Sequence, residues 1–358
     1  MKKLFIGVCL HFVVFVPLML YLIFSNIKSV DTGASMPGFP LASQKAYGKG
    51  VWNIERDEIS TQNLTERIQD RKGYLTIPLP DKTRESDIDI ETDYNTYVTV
   101  VTIQNVPEDF FHANLLSGET TGIQGIGFGY EDGIATIQLR TQTLTEPETR
   151  VANGSLFVRM RNPWELFDPI VVIDPGHGGT DTGSVAYEIQ EKDITLSTAQ
   201  KLVDELSMRG IKAYCTRDID RICTEKERLE LIDSVSANLV ISLHTLANEH
   251  TRTDRGLSAF SDPEAQKLAK RITGRLAKEL SMVDDGLIDN GSSDLVDRLI
   301  SQDYSIITLN LGCITNKHDA LIVSDSLNQK TIAQVIADEI VDFYGVTAIK
   351  EGETEAEN

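Results

Sequence analysis

The chain has 358 residues, with 34 Lys plus Arg against 54 Asp plus Glu and a formal net charge of −20 at pH 7. Such an acidic balance lacks the basic surface that phosphate neutralisation requires, which argues against nucleic acid as a partner. At 41% apolar and 25% charged residues the composition is that of a folded protein rather than a disordered or fibrous one, and the length suggests two folded units.

Met1, Lys2 and Lys3 precede an apolar run over residues 4–24, interrupted only by His11 and Pro17. The run is long enough to span a bilayer, and the flank Ser25-Asn26-Ile27-Lys28 lacks the small-residue site of a cleaved signal peptide. An uncleaved anchor is therefore expected over residues 1–28, with a secreted protein as the alternative. The two lysines before the span leave everything after it outside the cytoplasm.

Residues 29–70, with Gly33, Pro37, Gly38, Pro40 and Gly48, read as a stalk. From 71 to 166 the pattern is that of strands. Leu75, Ile77 and Leu79 alternate, as do Ile137 and Leu139, and Asp132-Gly133 sits between apolar runs as a hairpin turn. A small all-β domain is expected there, acting as a spacer or a binding module, since its His112 has no cluster of possible ligands around it.

From residue 167 strands alternate with amphipathic helices. Strands are expected at 170–173, 211–216, 239–243 and 305–309. Helices are expected at 194–209, ended by Gly210; from the Thr224 and Glu227 capping-box pair through Val235; from Asp262-Pro263 onward; and at 327–344. The fold class is α/β, a mainly parallel sheet with flanking helices over 167–346, preceded by the small β domain and the transmembrane segment. Residues 347–358 form an acidic tail.

In such sheets functional groups gather at the carboxyl ends of strands. After Ile173 comes Asp174-Pro175-Gly176-His177-Gly178-Gly179, after Leu243 comes His244, and after Leu309 comes Asn310. Two histidines thus meet at one edge, where a carboxylate from Glu191-Lys192-Asp193 could join them to bind zinc with an open fourth position. Glu188 and His250 are the alternatives for the third ligand. Asp174 is expected to orient a ligand by hydrogen bonding rather than to bind metal. Arg217 and Arg228 read equally as structural ion-pair members or as substrate contacts. Four cysteines without a CxxC pair exclude a disulfide framework and a thiolate zinc site, and Cys215 and Cys313 read as buried apolar residues.

Residues 171–193, Cys215-Thr216-Arg217-Asp218, Glu227-Arg228 and Ile241-Ser242-Leu243-His244 together resemble the zinc-dependent N-acetylmuramoyl-L-alanine amidases of the Amidase_3 family. The resemblance covers residues 168 to 346. It implies His177, Glu191 and His244 as ligands of one Zn²⁺, peptidoglycan as the substrate, and hydrolysis of the amide between muramic acid and the first alanine of the stem peptide. The upstream β domain is similar in pattern and position to wall-binding AMIN domains. In two places the sequence departs from the family: Leu246 stands where the family has Asn, and Asn310 where it has its catalytic Glu. The segment Asn310-Leu311-Gly312-Cys313-Ile314-Thr315-Asn316 keeps the family's Gly and Asn, which fixes this register. An amide side chain cannot carry a proton as a carboxylate does, so metal binding is expected intact and proton transfer impaired. The alternative function is that of a zinc-binding pseudoenzyme that binds wall or regulates an active hydrolase.

Overall fold

The computed structural model describes residues 73–247, 257–261, 263, 265–287, 294–302 and 304–346. The expected membrane segment, the stalk, His250 and the acidic tail lie outside these residues. Among the described residues no helix is long and apolar enough to cross a membrane. The chain divides into two compact units, one ending at Met160 and one beginning at Arg161, with Thr143–Glu146 assigned to the second.

The first unit is mainly β, as expected, but also carries a one-turn helix at Phe110–Ala113, where Phe111 is buried in the core. It contains β1 (Leu75–Pro78), β2 (Ile88–Asp93), β3 (Val98–Ile103), β4 (Ser117–Gly118), β5 (Ile123–Glu131), β6 (Ile134–Thr141), most of β7 (Glu146–Ala152) and most of β8 (Ser155–Arg161). They form two four-stranded sheets, β4-β1-β8-β7 and β2-β3-β6-β5. Leu75, Ile77, Leu156 and Val158 of one sheet share a core with Val101, Ile103, Ile137 and Leu139 of the other. These residues alternate along their strands, as a sheet with one buried face requires. The turn at Asp132-Gly133 is present, with both residues at positive φ, 47° and 82°, the backbone of a tight two-residue hairpin.

The second unit is built on a six-stranded sheet in the order β12-β9-β13-β16-β14-β15. Its strands are β9 (Ile170–Pro175), β12 (Lys212–Cys215), β13 (Leu239–Leu246), β14 (Leu257–Ser261), β15 (Asp284–Leu287) and β16 (Ile306–Cys313). A small hairpin, β10 (Val185–Ala186) with β11 (Ile189–Gln190), stands outside the sheet. β12, β9, β13 and β16 run parallel, and β14 pairs antiparallel with β16. The helices are α1 (Glu191–Met208), α2 (Glu225–Val235), α3 (Gln266–Leu280), α4 (Asp294–Ser301), α5 (Lys317–Ser324) and α6 (Ser326–Tyr344). Ala199, Leu202 and Leu206 of α1 and Ile332, Ile336 and Ile340 of α6 share one core with Val171, Ile173, Ile241, Leu243 and Ile307 of the sheet. Their spacing along each helix is that of a single apolar face. Thr224 and Glu227 form the capping box of α2.

Several expected boundaries shift. α1 begins at Glu191, not at 194, because its first turn is charged and falls outside the apolar repeat. α3 begins at Gln266 after a turn at Pro263, so the proline precedes the helix instead of occupying its first turn. β13 and β16 continue past Leu243 and Leu309, which places His244 and Asn310 within the strands rather than after them.

Candidate metal centre

The site forms where β9 leaves the sheet. Leu243 is the last residue of β13 paired with β9, opposite Pro175, whereas β13 goes on pairing with β16 through His244 and Asn310. His244 therefore stands at the opening created by the departure of β9. Gly176 makes the turn away from the sheet, and a Cβ on it would lie 2.3 Å from His244 Cε1. The close approach of backbone to imidazole requires glycine there. His177 then adopts φ 62°, and Gly178 and Gly179 follow at 135° and 60°. This run of positive φ turns the loop so that the His177 ring lies edge to face with His244, their centroids 5.2 Å apart.

Glu191 completes the group from the first turn of α1. It is 2% exposed, its Oε2 lies 3.3 Å from His177 Nε2, and its Oε1 lies 3.1 Å from His244 Nδ1. One ligand atom from each of the three residues lies within 4.8 Å of the others. The carboxylate is oriented by backbone donors, Ser184 N–H on Oε2 at 3.0 Å and Thr245 N–H on Oε1 at 2.8 Å. Its place at a helix start also favours negative charge. Burial opposes ionisation, but the hydrogen bonds from His177, His244 and the two amides hold the Glu191 carboxyl well below the usual range. Its partner shifts the other way. The hydrogen bond with Glu191 outweighs burial and raises the His177 pKa to about 9.

Two imidazole nitrogens and one carboxylate oxygen converging from fixed backbone are the donor set that zinc takes in catalytic sites, and the residues present fit that ion. Glu188 lies at the tip of the β10–β11 hairpin with φ 65°, exposed and apart from the converging group.

Asp174 is buried and accepts hydrogen bonds from Thr216 Oγ1 at 2.7 Å, Ser242 Oγ at 3.0 Å and Arg228. Desolvation works against its charge, yet Arg228 and Thr216 hold its carboxyl below the usual range. Arg217 is 0% exposed and Arg228 7%. Arg217 donates to the carbonyls of Pro175, Gly176 and Lys192, and Arg228 to those of Pro175 and His177. These bonds tie down the backbone that carries His177, and Arg228 also pairs with Asp174.

Several supporting residues escape a reading of the sequence. Lys192 Nζ donates to Gly179 O at 2.9 Å and to Asp220 Oδ2 at 2.7 Å, while Asp220 Oδ1 accepts from Gly179 N at 2.7 Å. Both backbone groups of Gly179 are thereby held. Asp181 Oδ2 lies 2.9 Å from His177 Nδ1. The pairing of a candidate ligand with the lysine after it is visible as Glu191-Lys192, but its meaning depends on a third loop meeting it.

Asn310 is paired in parallel register with His244 and in antiparallel register with Ser258 on its other side, and it is 8% exposed. Asn316 caps α5, its side chain accepting from His318 N and Asp319 N. Cys313 is fully buried, and Cys215, Cys223 and Cys313 are free thiols. Burial pushes the Cys215 thiol up to about 12.

The Amidase_3 family profile, described as N-acetylmuramoyl-L-alanine amidase, matches residues 171–342. The chain is 33% identical over 176 residues to the uncharacterized protein YqiI of Bacillus subtilis (strain 168), covering 48% of this chain and 81% of that protein. It is 28% identical over 204 residues to the N-acetylmuramoyl-L-alanine amidase LytC of the same strain, covering 55% of this chain and 38% of LytC. Among solved structures, the catalytic domain of CwlV, an N-acetylmuramoyl-L-alanine amidase from Bacillus (Paenibacillus) polymyxa var. colistinus, aligns with a TM-score of 0.45 and 26% identity, over 50% of this chain and 99% of that one. The chain thus spans most of YqiI and well under two thirds of LytC.

Proposed function

The chain belongs to the Amidase_3 family of N-acetylmuramoyl-L-alanine amidases, and from that premise we propose that it is a one-zinc peptidoglycan amidase slowed by Asn310. The observation that carries the reading is the convergence of His177, Glu191 and His244 on one point. The bond proposed for cleavage is the amide between N-acetylmuramic acid and the L-alanine of the stem peptide.

His177, Glu191 and His244 would hold the ion. Zinc, when bound, supplies a Lewis acid that polarises the scissile carbonyl and activates water. Arg217, Arg228, Lys192 and Asp220 keep the His177 loop in place, so the ligand geometry is set before substrate arrives. Asn310, beside His244 in the sheet, can donate or accept a hydrogen bond to the substrate or its water. It cannot take a proton from water and return it to the leaving amine, which removes roughly a hundredfold to ten-thousandfold of rate.

Asn310 favours a second reading, in which the domain binds stem peptides or an active hydrolase without turnover. Incubating the full chain, solubilised and zinc-loaded, with purified peptidoglycan separates the two. Slow release of stem peptides with a free N-terminal alanine supports the amidase. Binding without release over a long incubation supports the pseudoenzyme, and neither binding nor release overturns both.

We further propose that residues 4–24 anchor the protein in the cell membrane with the bulk of the chain outside the cytoplasm, where the polymer lies. The supporting feature is the apolar run preceded by Lys2 and Lys3. The first unit is proposed as a wall-binding module of the AMIN kind.

A further inference from the structure

We propose that Asp181 is a positioning residue for the metal centre, fixing the His177 ring with its proton on Nδ1 so that Nε2 is left to bind the cation. The inference rests on the metal-binding reading above and goes beyond it to the residue that sets the tautomer.

The two nitrogens of His177 face different partners. Nε2 points into the converging group, 3.3 Å from Glu191 Oε2, and Nδ1 points out of it, 2.9 Å from Asp181 Oδ2. An ionised carboxylate offers acceptors and no donor, so the proton in this bond belongs to Nδ1. A neutral imidazole with its proton on Nδ1 carries its lone pair on Nε2, the nitrogen that faces the other two ligands. Carboxylates in this relation to a ligating histidine both orient the ring and raise its basicity.

Asp181 is itself held in place. Its backbone pairs with that of Gly178 in both directions, Gly178 N to Asp181 O at 2.9 Å and Asp181 N to Gly178 O at 3.1 Å. Its other carboxylate oxygen accepts from Gly183 N at 3.0 Å. Gly183 leaves the ring its room, since a Cβ there would lie 2.5 Å from His177 Cδ2 and 2.8 Å from Glu191 Oε2. Both carboxylate oxygens are therefore committed, one to the loop and one to the ligand. An amide of the same shape has one acceptor oxygen. It must either release Gly183 or present its NH₂ to Nδ1, which would demand the opposite tautomer.

The test is zinc affinity of the full chain by competition with a chelator, for the unmodified protein, Asp181→Ala and Asp181→Asn, with thermal melting of each metal-free chain as the control for folding. Both variants are expected to bind zinc about tenfold more weakly, at the low end of the usual range because the Asp181 side chain is 65% exposed. The loss in the isosteric Asn variant separates acceptor chemistry from packing. A readout independent of any variant is NMR of the zinc-loaded, unmodified chain with ¹⁵N-labelled histidine, where the His177 ring proton is expected on Nδ1. Zinc affinity of Asp181→Ala within twofold of the unmodified value, or a His177 proton on Nε2, overturns the inference. If the unmodified chain binds no zinc, the metal reading itself fails and this inference falls with it.

Discussion

His244 and Asn310 are direct neighbours across the parallel strands β13 and β16, so their side chains leave the sheet on the same face. A metal-ligand candidate and the residue proposed to stand in place of the family's proton carrier thus share one small region of the sheet. If Asn310 limits turnover, Asn310→Glu should raise the rate of stem-peptide release at least tenfold with zinc content unchanged. Roughly 3 to 5 kcal/mol of barrier is at stake in a missing general acid–base. An unmodified rate that Asn310→Glu does not improve would mean that another group moves the proton.

The ligand set makes a second prediction. Purified protein should contain about one zinc, and His177→Ala or His244→Ala should lose it to mild chelation, because two remaining ligands hold the ion poorly. Elemental analysis of metal-replete preparations is the measurement, and a zinc-free unmodified chain would exclude the site.

Gly176→Ala should be more damaging than a surface glycine change. The added methyl would meet three atoms of the His244 ring at 2.3 to 2.8 Å, so either the ring or the backbone must move. A cost of about 1 to 3 kcal/mol in unfolding free energy is expected, together with weakened zinc binding. Gly122→Ala is a useful contrast, since its φ of 82° strains the backbone while a Cβ there meets nothing within 4 Å. It should leave zinc binding unchanged.

The Asp174 and Arg228 pair sets an acid limit on stability. The folded pKa of Asp174 is depressed below its unfolded value of about 3.9, so its contribution is fully present above that pH and is lost as pH falls through the lower folded value. Stability should therefore drop on acidification below about pH 4. Asp174→Asn should flatten that limb and cost about 3 to 5 kcal/mol at neutral pH, because it leaves the buried Arg228 charge without its carboxylate. Denaturant unfolding across about pH 2 to 7, by circular dichroism on both proteins, measures this. Parallel acid limbs for the two would refute it.

A reporter fused after residue 358 should be active only outside the cytoplasm, with the protein in the membrane fraction. A mature chain recovered from the medium with a new N-terminus beyond residue 24 would identify a cleaved signal instead.

Alternating apolar residues make strands of the first unit legible, short continuous apolar runs mark β9, β13 and β16 of the second, and the capping box at Thr224 and Glu227 and the turn at Asp132-Gly133 carry their own chemistry. The metal-ligand candidates are legible because a glycine-flanked histidine and a strand-end histidine are rare company. Other features are harder to read. The start of α1 at Glu191 is hidden because a charged first turn has no apolar period, although acidic residues there are themselves a start signal. The turn at Asn153-Gly154 also has both residues at positive φ, like the one at Asp132-Gly133, and its Asn-Gly pair announces it to a closer reading. The antiparallel β14 lies beyond the reach of a rule built on βαβ repetition. Asp181 and Asp220 look like ordinary loop acids until the loops that carry them are brought together.

The held backbone of Gly179 has a consequence for assembly. Lys192 belongs to the same helical turn as Glu191, and its ammonium grips the loop that bears His177. Two of the three candidate ligands, His177 and Glu191, therefore come from one short stretch of chain closed on itself, whereas His244 arrives from a distant strand. That last ligand reaches the group only when β13 has docked against β9. A metal ion at this centre would act as a rivet between the segment that runs from β9 to α1 and the strand β13, so that zinc binding and the docking of that strand would stabilise each other.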